Sequence, residues 1–204
     1  MLGERIKRAR IKAGLSQDAL VTKANNIVTK QAMSQYEKNQ KTPSSQVLIA
    51  IANALNIKLD FFFRKTNVEI GQVDFRKHSS FGKKQQEVLK ENVKDELERY
   101  LELEDILGIN KAFENPLTNL KIKSYEDAEN AAEELRNKWE LGIDPITNIM
   151  SVIEFKDIKV IYIQEESPRF NGLSGWAKND ENHPFIVINS NESLSLDKIG
   201  RALC

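Results

Sequence analysis

The 204 residues carry 40% hydrophobic and 29% charged side chains, the mix of a folded soluble chain rather than a disordered or collagen-like one. No run approaches the ~18–20 apolar residues needed to span a bilayer, and the opening MLGERIKRAR lacks the apolar core of an export signal, so the expected location is the cytoplasm and no membrane partner is expected. A single cysteine, Cys204, leaves no internal disulfide and no cysteine-based zinc ribbon.

The zero net charge divides unevenly. Residues 1–65 hold 12 Lys+Arg against 4 Asp+Glu, and the remainder holds 18 against 26. A basic head on an acidic body suits contact with nucleic-acid phosphates by the head alone.

In chain order, Leu2, Ile6, Ala9 and Ala13 form the apolar stripe of a first helix, stopped by Gly14 as its C-terminal cap. Ser16 caps a second helix, with Asp18 in its first turn and Ala19, Leu20, Lys23 and Ala24 as a weak stripe. Asn25 and Asn26 tolerate left-handed backbone and make the turn. Thr29 caps a third helix, on which Ala32, Met33 and Tyr36 point inward. Lys30, Gln31, Ser34, Gln35 and Lys38 fall at i, i+1, i+4, i+5 and i+8 and share one exposed face. A glutamine can make paired hydrogen bonds to adenine in the major groove, and a lysine can reach guanine or phosphate; a plain solvated face has the same pattern. Thr42-Pro43-Ser44-Ser45 reads as a helix start with proline at the first helical position. Val47, Ala50, Ile51, Ala54 and Leu55 then face inward and Asn56 ends the run. Leu59, Phe61, Phe62 and Phe63 close a five-helix unit.

Residues 2–63 resemble the phage-repressor (Xre-type) helix-turn-helix family. The pieces that carry the likeness are GLSQ at 14–17, KQAMSQYE at 30–37, TPS at 42–44 and IANALNI at 51–57; the turn ANNIV is two residues longer than the common pattern. The resemblance implies a lambda-repressor-like fold and a double-stranded DNA partner, bound as a homodimer. It implies that Gln17 donates to a phosphate and that Lys30, Gln31, Ser34 and Gln35 face base edges. With Thr29 at the helix start and Lys38 beyond its end, these make the expected DNA-binding set. Tyr36 and Glu37 fall at structural positions.

Residues 64–82 lack helical periodicity and read as a connector with one extended piece near Val68–Phe75. The domains expected are therefore 1–64, a linker over 65–123 and a third unit over 124–204. Within the linker, Lys83 to Leu107 is a long helix whose stripe is Leu89, Val93, Leu97, Tyr100 and Leu107, broadened by Leu101 and Ile106. Its carboxylates at 91–104 read as a solvated, salt-bridging face. Ser124 to Asp127 is a capping signature, opening a helix with Ala128, Ala131, Ala132, Leu135 and Trp139 inward. Asp144-Pro145 starts another, with Ile146, Ile149, Met150 and Ile153 inward. Strands over 158–163 and 185–189 flank the glycine-punctuated stretch at 171–177, which forms a hairpin with the last strand across the polar turn 179–182. The fold class is mainly α, then α+β. Leu194 to Cys204 begins a further helix.

This half resembles proteins that join an Xre-type domain to an ImmA/IrrE-type metallopeptidase domain. The likeness rests on FFFRK at 61–65, FRK at 75–77, ERYLELEDIL at 98–107, AAEELRNKWELGIDPI at 131–146 and NGLSGWA at 171–177. It implies a partial zincin-like α+β domain. The zinc site of that family is HExxH on a helix, with the glutamate as general base. It is absent: the only histidines are His78, a linker residue, and His183, at the start of a strand. In relatives the motif follows shortly after the strand matched by PFIVIN at 184–189, on the helix that LDKIGRALC begins, with Cys204 just before the first ligand, so the chain is expected to hold the scaffold without the ligands. Ser174 in GLSG is not a nucleophile elbow. No catalytic residue, metal or cofactor is expected.

Three functions fit. One is a sequence-specific DNA-binding transcriptional regulator with a C-terminal sensor or partner domain. The second is a zinc metalloprotease cleaving a repressor, should a complete chain carry HExxH. The third is an antitoxin-like autoregulator that binds a toxin.

Overall fold

Ser16, Thr29 and Ser44 each turn a hydroxyl oxygen onto a free backbone N–H, accepting from Ala19, Ala32 and Val47 at 3.1, 3.2 and 3.4 Å. These caps satisfy donors that a helix start leaves unpaired. In the computed structural model, which describes residues 1–64, 68–77, 81–109, 113–118, 120–167, 169–178 and 182–191, they open three of the four helices of the head. The helices are α1 (Leu2–Lys12), α2 (Gln17–Lys23), α3 (Lys30–Glu37) and α4 (Ser45–Leu55). A 3-10 turn, Leu59–Phe63, stands where a fifth helix was expected. Gly14 follows α1 at φ 67° and Asn56 ends α4 at φ 54°, left-handed positions as expected of their types.

Ile6, Leu20, Met33 and Ile51 are fully buried and knit one helix to the next. Several details differ from the sequence reading: of the four residues expected to close the unit, Phe61 and Phe62 are buried, while Leu59 and Phe63 are exposed. Pro43 lies outside α4, because Ser44 supplies the cap and Ser45 the first turn. On α2 it is Val21 that packs inward, while Ala19 and Lys23 are exposed. Ala13, already past the end of α1, faces solvent.

The rest of the chain adds β1 (Glu69–Lys77), α5 (Lys83–Leu107), α6 (Tyr125–Lys138), α7 (Ile149–Phe155), β2 (Lys159–Ile163), β3 (Phe170–Lys178) and β4 (Asn182–Asn189). The strands form one sheet in the order β1-β3-β4-β2. β3 runs antiparallel to both β1 and β4, and β2 runs parallel to β4. β1 comes from the stretch read as a connector, and supplies an edge of the sheet.

Side chains on β4 alternate across it. Phe185 and Val187 meet Leu89, Val93, Leu97 and Leu101 of α5, and Ile188 meets Ile153 of α7 on the other face. The stripe of α5 thus steps by four residues, and Tyr100, Ile106 and Leu107, expected on it, are exposed.

Two other expectations are corrected. α7 is capped by Asn148, whose Oδ1 accepts from Ser151 N at 3.1 Å, rather than by Asp144, whose carbonyl accepts from Arg136 of α6 at 2.5 Å. On α6 the Ser124–Asp127 capping box forms, but Ala128 and Ala132 are exposed and Ala131 alone is buried. Caps and the Lys138–Glu134 pair sustain that helix locally. The sequence expectations for His78, the turn residues 179–181 and the 194–204 helix lie outside the described residues. Among the described residues no helix is long and apolar enough to cross a membrane.

Candidate nucleic-acid interface

Helix α3 presents two unlike sides. Met33 is fully buried, and Ala32 and Tyr36 are partly buried beside it. Lys30, Gln31 and Lys38 are exposed, and Ser34 and Gln35 half-buried, around the other side. That side offers two amides, two ammonium groups and a hydroxyl, enough donors and acceptors to address both bases and phosphates. Thr29 is exposed, with its hydroxyl oxygen engaged in the cap. Lys30 reaches Asp18 at 2.5 Å, but both side chains are 62% exposed, so the pair is weak and easily exchanged for another anion.

Such a face reads a groove only if its backbone is held. Glu37, at the buried end of α3, accepts from Arg10 Nε at 2.6 Å and from its second terminal nitrogen at 2.9 Å. Two parallel charge-assisted bonds fix angle as well as distance. Arg10 also donates to the Leu15 carbonyl at 2.9 Å, and Gln17 Nε2 donates to Glu37 at 2.7 Å. The amide of Gln17, expected on a phosphate, thus gives one of its two N–H groups to this anchor.

A second clamp lies at Gly3. A Cβ there would stand 1.9 Å from the Tyr36 carbonyl oxygen, and Gly3 N donates to Asn39 Oδ1 at 2.8 Å. Only glycine lets α1 approach the end of α3 this closely. The long turn between α2 and α3 is taken up by Asn25 and Asn26, left-handed at φ 56° and 54°.

The basic surplus of the head does not all face outward. Arg5 and Arg8 of α1 are buried and converge on Glu98 of α5 at 2.5 and 2.6 Å, and Arg8 also holds Glu91 at 2.8 Å. Asp95 takes Lys12, Arg99 at 2.8 Å and Arg64 at 3.3 Å. The acidic face of α5 is therefore no solvated stripe: Asp95 and Glu98 are each 1% exposed. They are buried because the cations of α1 replace water around them. Burial pushes the Asp95 carboxyl up, yet Lys12, Arg99 and Arg64 outweigh it and hold the group below the usual range. Burial likewise lowers Arg8, and its bonds to Glu98 and Glu91 more than restore it.

Position along α1 did not flag Arg5 and Arg8, which flank Ile6 and Ala9 as ordinary surface cations would. Glu37 carried a weak signal, an acid four residues beyond the core residue Met33 with Arg10 four beyond Ile6.

Residues 6–62 match the Helix-turn-helix family. The head is a helix-turn-helix domain of the Xre type, the DNA-binding kind used in transcription regulation. The chain is also 23% identical over 138 residues, 67% of its own length and 98% of the relative's, to the HTH-type transcriptional regulator ImmR of Bacillus subtilis (strain 168). The solved SinR protein/SinI protein complex aligns at 22% identity over 54% of this chain and all of that one, with a TM-score of 0.30.

Among the described residues no group of three or more His, Cys, Asp or Glu could hold a metal. His183 is buried within β4, opposite Ala177 of β3.

Proposed function

We propose that this chain is a sequence-specific, DNA-binding transcriptional regulator that acts in the cytoplasm as a homodimer on two-fold sites. α3 lies in the major groove. Gln31 and Gln35 read base edges, Lys30 and Ser34 flank them, and Thr29, Lys38 and the free N–H of Gln17 reach phosphates. Half-sites then lie about one helical turn apart. The observation that carries this reading is the exposed, amide-rich face of a helix anchored twice from behind, at Glu37 and at Gly3. The body is a sensor or partner domain on an ImmA/IrrE-like scaffold that performs no catalysis; its partner is a protein such as a repressor or toxin.

Selection of binding sites from a random duplex pool tests the reading. The wild-type chain should enrich a two-fold motif, and the Gln31→Ala/Gln35→Ala variant should lose discrimination at the same positions. Unchanged discrimination in that variant would sink the assigned orientation of α3.

A further inference from the structure

A cleft of about 610 Å³ separates the head from α5. Small-ligand sites of ~300–1,000 Å³ lie preferentially between packed units of this kind. Four cations line it, Lys12, Lys58, Arg64 and Arg99, against two carboxylates, Asp60 and Asp95.

The two carboxylates are already committed. Asp95 is buried and shared among Lys12, Arg64 and Arg99, and Asp60 reaches Arg64 at 3.8 Å. Lys58 is exposed and makes no ion pair among the described residues, and the side chain of Arg99 is half exposed. Arg99 also meets Glu96 at 3.4 Å, but both side chains are about half exposed and the pair is weak, so the lining keeps a positive excess with Lys58 and Arg99 at its solvent side. Behind them the wall is apolar, with Leu55, Ile57 and Phe61.

We propose that this cleft binds a small organic oxyanion, a phosphate- or carboxylate-bearing metabolite, whose acidic group is taken by Lys58 and Arg99 and whose apolar part lies on Leu55 and Phe61. A ligand seated there touches the head and α5 at once. It strengthens their junction by mass action, because the site exists only while the two are packed. The cleft uses none of the residues assigned to DNA, so occupancy is read without DNA and independently of the function proposed above.

The test is thermal unfolding of the full chain with inorganic phosphate and with phenyl phosphate, each titrated against chloride at fixed ionic strength. Both phosphates should raise the melting temperature along a saturating curve, and chloride should not. Phenyl phosphate should half-saturate at a concentration ~10-fold or more below that of inorganic phosphate, since its ring covers apolar wall. Lys58→Ala should weaken both by ~10-fold or more while leaving the melting temperature without phosphate unchanged. Lys38→Ala, on α3, should leave both responses intact. No saturable response to either compound, equal half-saturation by the two, or a response lost in Lys38→Ala and kept in Lys58→Ala overturns the proposal.

Discussion

The head shows two basic-and-polar surfaces that composition alone cannot tell apart. On α1, Arg5, Arg8 and Lys12 are turned to α5 and satisfied by carboxylates of the same chain. On α3, Lys30, Gln31, Ser34, Gln35 and Lys38 keep donors that the chain leaves mostly to solvent. The first surface holds the molecule together, and the second is available to a partner. Net charge counts both alike. What separates them is whether the groups that satisfy each donor belong to the same chain, and the eight-charge surplus of the head overstates what DNA can meet.

The sharpest way to break that contrast is to remove one acid from the first surface. Glu98→Ala leaves two buried guanidiniums without their shared carboxylate, and should cost ~3–5 kcal/mol in chemical denaturation. Well below its melting temperature, the variant should keep the DNA preference of the wild type. A Glu98→Ala chain of unchanged stability would mean that Arg5 and Arg8 are not held by Glu98 in solution.

Gly3→Ala acts on both surfaces, because the added methyl collides with backbone at Tyr36. We expect a loss of ~1–3 kcal/mol in stability as α1 shifts off α3, with weaker DNA binding. Gln31→Ala and Gln35→Ala act on the second surface only. Each should remove ~1–3 kcal/mol of discrimination between the selected site and a mismatched one, without moving the melting temperature. Lys38→Ala should weaken all duplexes about equally and reduce the salt slope by ~1.

The smallest effect expected is a pH dependence. The Asp95 carboxyl titrates below its unfolded value of about 3.9, so its contribution is fully present above that pH and is lost as acid carries the pH down through the folded value. Stability followed by denaturation from pH 6 downward should fall less steeply in Asp95→Asn than in the wild type. A parallel fall in both would remove Asp95 from the account.

The caps and glycine stops were legible because they act within a few residues. Ser16 and Thr29 start helices where a short polar side chain can meet its own backbone, and α5 runs from Lys83 to Leu107 and stops at Gly108, as read; at α4 the cap is Ser44 rather than the residue before Pro43. The polar face of α3 was legible for the same reason, since helical spacing alone sorts it from Met33.

The α1–α5 junction was not legible. Arg5 and Glu98 stand 93 positions apart, and neither is distinguishable locally from a solvated charge. β1 was legible only as an extended piece near Val68–Phe75, not as a sheet strand: its register shifts between Ile70 and Val73, so the apolar residues fall three apart and the alternation of a strand is broken. The start of α7 was misplaced because Asp144 and Asn148 are both cap-type residues four positions apart, and Asn148 is the one whose side chain meets the helix. The Gln17 amide could not be placed without knowing that Glu37 turns inward to Arg10.

The most direct test of the contrast is a chemical-shift map of the full chain as its selected duplex is added. The account predicts that backbone and side-chain amide signals of Gln31, Ser34, Gln35 and Lys38 move or broaden, while the Arg5 and Arg8 guanidinium Nε–H signals stay where they are. Movement of the Arg5 and Arg8 signals with α3 left undisturbed would contradict it.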